Sequence, residues 1–382
     1  MTQFGESNDT WLLCILPDMS TSTSRIERIS VLDGWRGLAI LLVVGQHAGH
    51  EYFPDQAWSS LGDLGVDIFF VLSGYIITAR LLEEQDTTCT ISLKSFYLRR
   101  AFRILPLVLC YLSILCVISL FVNTDAKLSQ IAGALFFFRN YQFAAHPGGV
   151  YTGHFWSLSI EEHFYLFWPV LLLRAGNRRA LWIAVLGAYT CAIWRLFDRN
   201  HPNSLVGRTL PGSNWELRSL RTDVLLDGLL LGSALAILLT RPAVRAFIFR
   251  NFPKETPLIG AVLLMILNHP WAKGFSTLTY YSLLTLIVGS TLVVKEGLAY
   301  KWVNSRALIA LGTISYSLYV WQQLFLQHPP GIRPLGALST FPFNLIFALS
   351  AAIGSFYLLE RPLIKLGHKL AAKVETVEYA RV

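Results

Sequence analysis

Several charged and titratable side chains stand inside long apolar stretches of this sequence, and these are the residues that could do chemistry. Arg36 and His47 lie eleven residues apart in "RGLAILLVVGQH". On a helix that spacing is close to three turns, so the two share a face, about 16 Å apart along the axis. A charge kept in apolar sequence needs a reason. Arg36 could snorkel to lipid phosphates and His47 could bond a neighbouring helix, or both could line one buried cavity. Histidine titrates near neutral pH, which makes His47 the natural general base in the second case. His50, one turn further on, is the rival base.

Glu161 and Glu162 are adjacent in "HFWSLSIEEHFYLFWP". On a helix they point about 100° apart and cannot face one target. Glu161 shares a side with Ser157, Tyr165 and Trp168, and could pair with a buried Arg or His or orient a base. Glu162 could sit among headgroups. His154 could cap this helix or reach the cavity. Arg99, Arg100 and Arg103 open a further span in "FYLRRAFRILP". A basic cluster beside a span is ordinarily a topology signal. Its alternative is a site for a phosphorylated ligand, since arginine offers phosphate several donors at once. Asp67 lies in "GVDIFFVLSGY", where Ser73 and Gly74 allow close helix contact. Arg221, Asp223 and Asp227 enter another span.

Membrane helices are the elements that must hold these residues. The chain has 382 residues, 53% of them hydrophobic and only 15% charged, and its mean hydropathy is +0.47. An ordinary soluble domain carries about 25% charged residues. A disordered chain and a disulfide scaffold are excluded. The net charge of +8 does not point to nucleic acid, because the basic residues fall in short clusters between apolar blocks. Apolar runs at 34–50, 64–81, 104–122, 156–173, 180–197, 222–239, 257–268, 276–294, 307–327 and 341–359 read as spans. The expected fold is therefore all-α and polytopic, with about ten transmembrane helices. With the N-terminus inside, 22 of the 32 Lys and Arg residues fall in inner segments. The run Leu128 to Phe138 is too short to cross, and making it a span would throw most of those clusters outside. It reads as a re-entrant or surface helix.

The five cysteines show no metal-ligand spacing. Neither disulfides nor a metal site is expected, and Cys110, Cys116 and Cys191 read as small core residues. Residues 1–28 read as a cytoplasmic N-terminal segment, with Met19 a candidate start, and 29–362 as the transmembrane domain. Residues 363–382 read as a cytoplasmic tail, leaving no room for an appended soluble domain.

Taken together, the motifs resemble the membrane-bound acyltransferase 3 family. The resemblance runs from Ile29 to Pro362. It rests on "LDGWRGLAILLVVGQH", "GVDIFFVLSGY", "FYLRRAFRILP", "HFWSLSIEEHFYLFWP", "RTDVLLDGLLLG", "ISYSLYVWQ" and the closing "ERP", seven motifs in the family's order. It implies transfer of an acyl group, commonly acetyl, from acyl-CoA to a hydroxyl of a sugar or related cell-surface or exported acceptor. The family's arginine–histidine pair falls on Arg36 and His47, and its arginine cluster on Arg99, Arg100 and Arg103. Its Trp-Ser-Leu…Glu motif falls on Trp156, Ser157, Leu158 and Glu161. The chain departs from many members at Gln322, where they carry His, and at His163, where they carry Gln; Gln322 is given no catalytic role.

The expected site therefore has His47, Arg36 and Glu161 as catalytic residues, and Arg99, Arg100 and Arg103 binding the acyl-CoA donor. Asp67, His154, Trp156 and Ser157 line the acceptor side. Acyl-CoA acts as a substrate, and no bound cofactor or metal is expected. Partners are the lipid bilayer, acyl-CoA and a carbohydrate or glycolipid acceptor, not nucleic acid. The expected location is the bacterial inner membrane with both termini cytoplasmic. His47 would take the acceptor's proton as it attacks the thioester; a covalent acyl-histidine is the other route. The rival from another class is a transporter or proton-coupled flippase, since buried His, Glu and Arg also mark ion pathways. Transporters often repeat their halves, and this sequence has no such symmetry.

Overall fold

A computed structural model describes residues 30–49, 56–122, 124, 126–145, 148–201, 219–267, 273–327 and 340–379. Among these residues the chain is all-helical, with no strand. It begins with α1 (Ser30–Gly49), α2 (Gln56–Thr88) and α3 (Leu93–Phe121), then three short helices, α4 (Leu128–Leu135), α5 (Arg139–Ala145) and α6 (Val150–Gly153). Next come α7 (Phe155–Asn200), α8 (Thr222–Leu225), α9 (Asp227–Leu239), α10 (Pro242–Asn251), α11 (Thr256–Leu267) and α12 (Lys273–Val293). The chain continues through α13 (Gly297–Val303), α14 (Arg306–Thr313), α15 (Ser315–Leu326) and α16 (Phe343–Ser355), and a π turn at Phe356–Glu360 leads into α17 (Arg361–Tyr379).

Among the described residues, four helical stretches are long and apolar enough to cross a membrane, or up to six if each of two bent pairs counts as one span. This compares with ten apolar runs in the sequence, several of which are not separate continuous helices. The runs 156–173 and 180–197 fall in one helix, α7, which is interrupted at Gly176 with φ 70° and ψ 164°. Glycine reaches that backbone conformation without steric penalty. The interruption folds α7 back on itself. His163 bonds Thr222 at 2.7 Å and Trp194 donates to the adjacent Asp223 at 2.8 Å. On a straight helix those two residues would stand about 46 Å apart. Elsewhere the runs are divided. Run 307–327 is split between α14 and α15, and α11, at 12 residues, is about 18 Å long, short of a bilayer core. The segment expected to be re-entrant or superficial is the short α4 followed by two more short helices.

The apolar sequence is used on two sides. Inward, Ile40, Phe70, Leu107, Tyr111, Phe155 and Ile160 belong to one buried cluster that joins α1, α2, α3 and α7. Outward, Leu120, Phe121 and Leu358 are each at least 80% exposed, and Phe167, Leu186 and Ile193 are exposed with them. A belt of bare large apolar side chains suits lipid and not water, so the chain is a membrane protein.

Small residues set a close helix contact. A Cβ at Gly74 would lie 1.9 Å from the Leu229 carbonyl oxygen, and one at Gly232 would lie 2.1 Å from that of Val71. The α2–α9 approach therefore depends on the glycine anticipated in "VLSGY". The cysteine expectation needs one correction: Cys89 is disulfide-bonded. Cys110, Cys116 and Cys191 are free, and Cys116 is exposed, not a core residue.

Candidate functional site

A cavity of about 790 Å³ opens where the N-terminal part of α3 meets α1, α2, α7, α15 and α17. Six residues nominated from sequence line it: Arg36, Arg99, Arg100, Arg103, Ser157 and Glu161. The other four, His47, Asp67, His154 and Trp156, do not line it.

The arginines differ in their partners. Arg100 donates to Glu162 Oε1 from Nε at 3.1 Å and from Nη2 at 2.9 Å, and stands 3.7 Å from Glu161. Its guanidinium also lies 3.6 Å from the centre of the Tyr165 ring. The two adjacent glutamates, which cannot face one target from the same helix, thus hold one arginine between them. Tyr165, one turn beyond Glu161, donates to that carboxylate at 2.9 Å. Arg99 pairs with Glu84 at 3.0 Å and with Glu375 on α17. Arg36 is 3.7 Å from Asp33. Arg103 has no carboxylate within ion-pair distance among the described residues, and its charged neighbours include Arg36, Arg100 and Arg80. Arg80 is in the same position, with Arg99 and Arg100 beside it.

The far wall of the cavity is Ser157 and Tyr319. The Tyr319 hydroxyl lies 2.5 Å from Ser157 Oγ and donates to the His154 carbonyl at 3.0 Å. Beyond this wall are the two histidines. The His154 ring stands 5.7 Å from the Tyr319 ring and 5.5 Å from Tyr111. It is buried, with neither ring nitrogen in a hydrogen bond of normal geometry. It occupies the N-cap position of α7, but its side chain makes no capping bond. One turn past Tyr319, Gln322 meets His47: Nδ1 to Oε1 is 2.7 Å. Arg36 is an electrostatic neighbour of Glu161, and His47 of His154. His50 lies outside the described residues.

Asp67 and Trp156 sit apart from this line. Asp67 accepts from the Tyr281 hydroxyl, and Trp156 packs edge-on against Phe70 at 6.2 Å. Among the described residues no group of three or more His, Cys, Asp or Glu could hold a metal ion.

Sequence reasoning missed Arg80, Tyr319, Glu360 and the contact partner Gln322. Arg80 had a signal, a charge inside "SGYIITARLL", but counting it among topology-setting residues hid it. Glu360 closes the "ERP" motif and lines the cavity, accepting from Ser317 at 2.6 Å. Nothing local marks Tyr319, which is selected by the packing of α15 on α7.

The acyltransferase 3 family model, described as an acyltransferase domain, matches residues 29–360. The protein named "Putative O-acetyltransferase SACOL0978" of Staphylococcus aureus strain COL is 28% identical over 376 residues, 91% of this chain and 59% of that relative. O-acetyltransferase OatA of Staphylococcus aureus strain NCTC 8325 / PS 47 is 27% identical over 369 residues, 89% of this chain and 58% of the relative. The chain thus spans less than two thirds of the length of these curated relatives. No solved structure matches.

Proposed function

The chain belongs to the acyltransferase 3 family, and from that membership we propose that it is a membrane-bound O-acyltransferase. It moves an acyl group, acetyl by the names of its relatives, from acyl-CoA to a hydroxyl of a carbohydrate or related exported acceptor. In this reading the protein lies in the bacterial inner membrane with both termini cytoplasmic, and the cavity opens to the cytoplasm.

The observation that carries the reading is the unbalanced charge of the cavity. Two of its arginines, Arg80 and Arg103, lack carboxylate partners among the described residues and lie among other arginines. Like charges gathered at low dielectric repel, and a polyanionic ligand relieves the repulsion. Coenzyme A is such a ligand, cytosolic and phosphate-bearing, and its pantetheine arm is long enough to run inward between helices toward Ser157 and Tyr319.

The acceptor comes from the opposite end, where His47 lies. With Nδ1–H donating to Gln322 Oε1, the His47 Nε2 carries the lone pair. The acceptor hydroxyl gives its proton to Nε2 as its oxygen attacks the thioester carbonyl. The new C–O bond forms, the C–S bond breaks, and the proton passes to the departing sulfur. Arg36, about 16 Å along α1 from His47, is a distant candidate for the developing oxyanion, and the donor to that oxygen is otherwise unassigned. Tyr319 and Ser157 stand between the two ends, so the thioester must pass the Tyr319 ring to reach His47.

Mass spectrometry of surface glycans and secreted metabolites, with and without the protein, tests this reading. The expected result is a set of species heavier by one acyl group in its presence. Identical spectra would reject the assignment. A topology reporter fused after Arg174, at the fold-back of α7, is expected to read as cytoplasmic; an external reading would reverse the donor and acceptor ends.

A further inference from the structure

The mouth of the cavity carries cations that the arginine cluster in the sequence does not include. Lys365 and His368 of α17 line it together with Arg80 of α2 and Arg103 of α3. His368 has Arg99, Arg80 and Arg103 as charged neighbours, with Glu375, itself bonded to Arg99, the acidic one. The carboxylates nearby are engaged elsewhere. Glu84 accepts from Arg99 and from the Ser92 amide, Glu161 from Tyr165, and Glu360 from Ser317 and Ser355. Glu83 stands beside Arg80 without reaching ion-pair distance. Arg80, Arg103 and Lys365 have no ion pair among the described residues.

The helix that presents Lys365 and His368 is fixed to α3 from one side. Ser95 Oγ donates to the Ala371 carbonyl at 3.0 Å, and Arg99 bonds Glu375. Gly367 lies so close to Phe102 that an added Cβ would stand 2.5 Å from its Cβ. Arg99 thereby acts as a strut for α17, and its charge is already matched by two carboxylates. Arg100 is likewise occupied, by Glu161 and Glu162.

We infer that Arg80, Arg103, Lys365 and His368, from three separate helices, form the phosphate-binding cluster for the nucleotide end of the donor, while Arg99 and Arg100 serve to hold helices. The inference rests on the acyl-CoA reading above and names the residues that reading leaves open. Its chemistry is general: phosphate groups are bound by cations whose charge is not already neutralised. His368, with Arg99, Arg80 and Arg103 among its charged neighbours, offers phosphate a ring N–H beside them. α17, which the sequence presents as a tail after the last span, becomes part of the binding site.

The test is isothermal titration of the purified full chain in detergent with coenzyme A and, separately, with pantetheine, which lacks the nucleotide. Arg80→Gln and Lys365→Gln are each expected to weaken coenzyme A binding about ten-fold and to leave pantetheine binding unchanged. Lys369→Gln, on α17 but outside the cavity lining, is expected to bind as the wild type does. Binding of coenzyme A by the wild type, with no change in Arg80→Gln and Lys365→Gln, would overturn the cluster while leaving the donor reading standing. An equal loss in Lys369→Gln would also overturn it, by showing a general charge effect. Failure of the wild type to bind coenzyme A at all would overturn the donor reading and the cluster with it.

Discussion

Two groups of arginines in this molecule sit in similar apolar surroundings and differ in what they face. On the α7–α9 side, Arg195 is held by Asp227 through two contacts, of 2.6 and 3.3 Å, and lies 5.8 Å from the Tyr281 ring. Next to it Arg221 is bound by Asp223 at 2.8 Å and by Asp198 at 3.3 Å. On the cavity side Arg80 and Arg103 face other arginines. A buried cation matched by carboxylates fixes the geometry of helices; a buried cation with like charges beside it and no carboxylate at ion-pair distance is poised for an anion from outside. The same residue type in the same kind of sequence therefore does two jobs, and carboxylate pairing separates them.

The largest expected effect comes from breaking the matched side. Asp227→Ala strands Arg195 with a buried, uncompensated charge and is expected to destabilise the protein by about 3–5 kcal/mol. The measure is loss of folded protein from the membrane fraction and a lowered Tm in detergent. A variant that accumulates and melts normally would dissolve the distinction.

Removing a charge from the unmatched side should do the reverse. Arg103→Gln is expected to leave Tm unchanged or raised, because it relieves repulsion among Arg36, Arg80 and Arg100. Donor binding should weaken ten-fold or more, at about 1.5–3 kcal/mol for lost bonds to a charged group. Titration with coenzyme A, paired with a melting curve, reads both. The smallest effect belongs to Arg99→Gln, which removes partly exposed pairs to Glu84 and Glu375. Such pairs contribute under about 1 kcal/mol, so donor affinity should fall no more than a few-fold. A drop as large as that of Arg103→Gln would place Arg99 among the phosphate ligands.

This distinction was only half legible in the sequence. Periodicity and spacing put Arg36 and His47 on one face of α1; Arg36 lines the cavity and His47 meets Gln322 beyond it. The short run at 128–138 was readable as a non-crossing segment because length limits what a helix can span. The positions of Arg99, Arg100 and Arg103 were plain, but their pairing was not, because Glu375 is 276 residues from Arg99 and Glu162 is 62 from Arg100. Such distances are set by helix packing and leave no local pattern. For the same reason Tyr319, a wall between cavity and histidines, resembled any other aromatic in an apolar helix. Gln322 looked inert beside a family pattern with histidine there, yet it is the residue bonded to His47.

His47 carries the account, and one assay tests it directly. Inverted membrane vesicles present the cavity mouth to added radiolabelled acetyl-CoA, and the label entering membrane or lumenal acceptor is followed over a pH series. Wild-type transfer is expected to rise with pH through a single ionisation, because the base must lose its proton to act. His47→Gln is expected to reach normal levels in the membrane and to transfer label about 10²–10⁴-fold more slowly, with that rising limb gone. Near-normal transfer by His47→Gln, with the limb intact, would contradict the account.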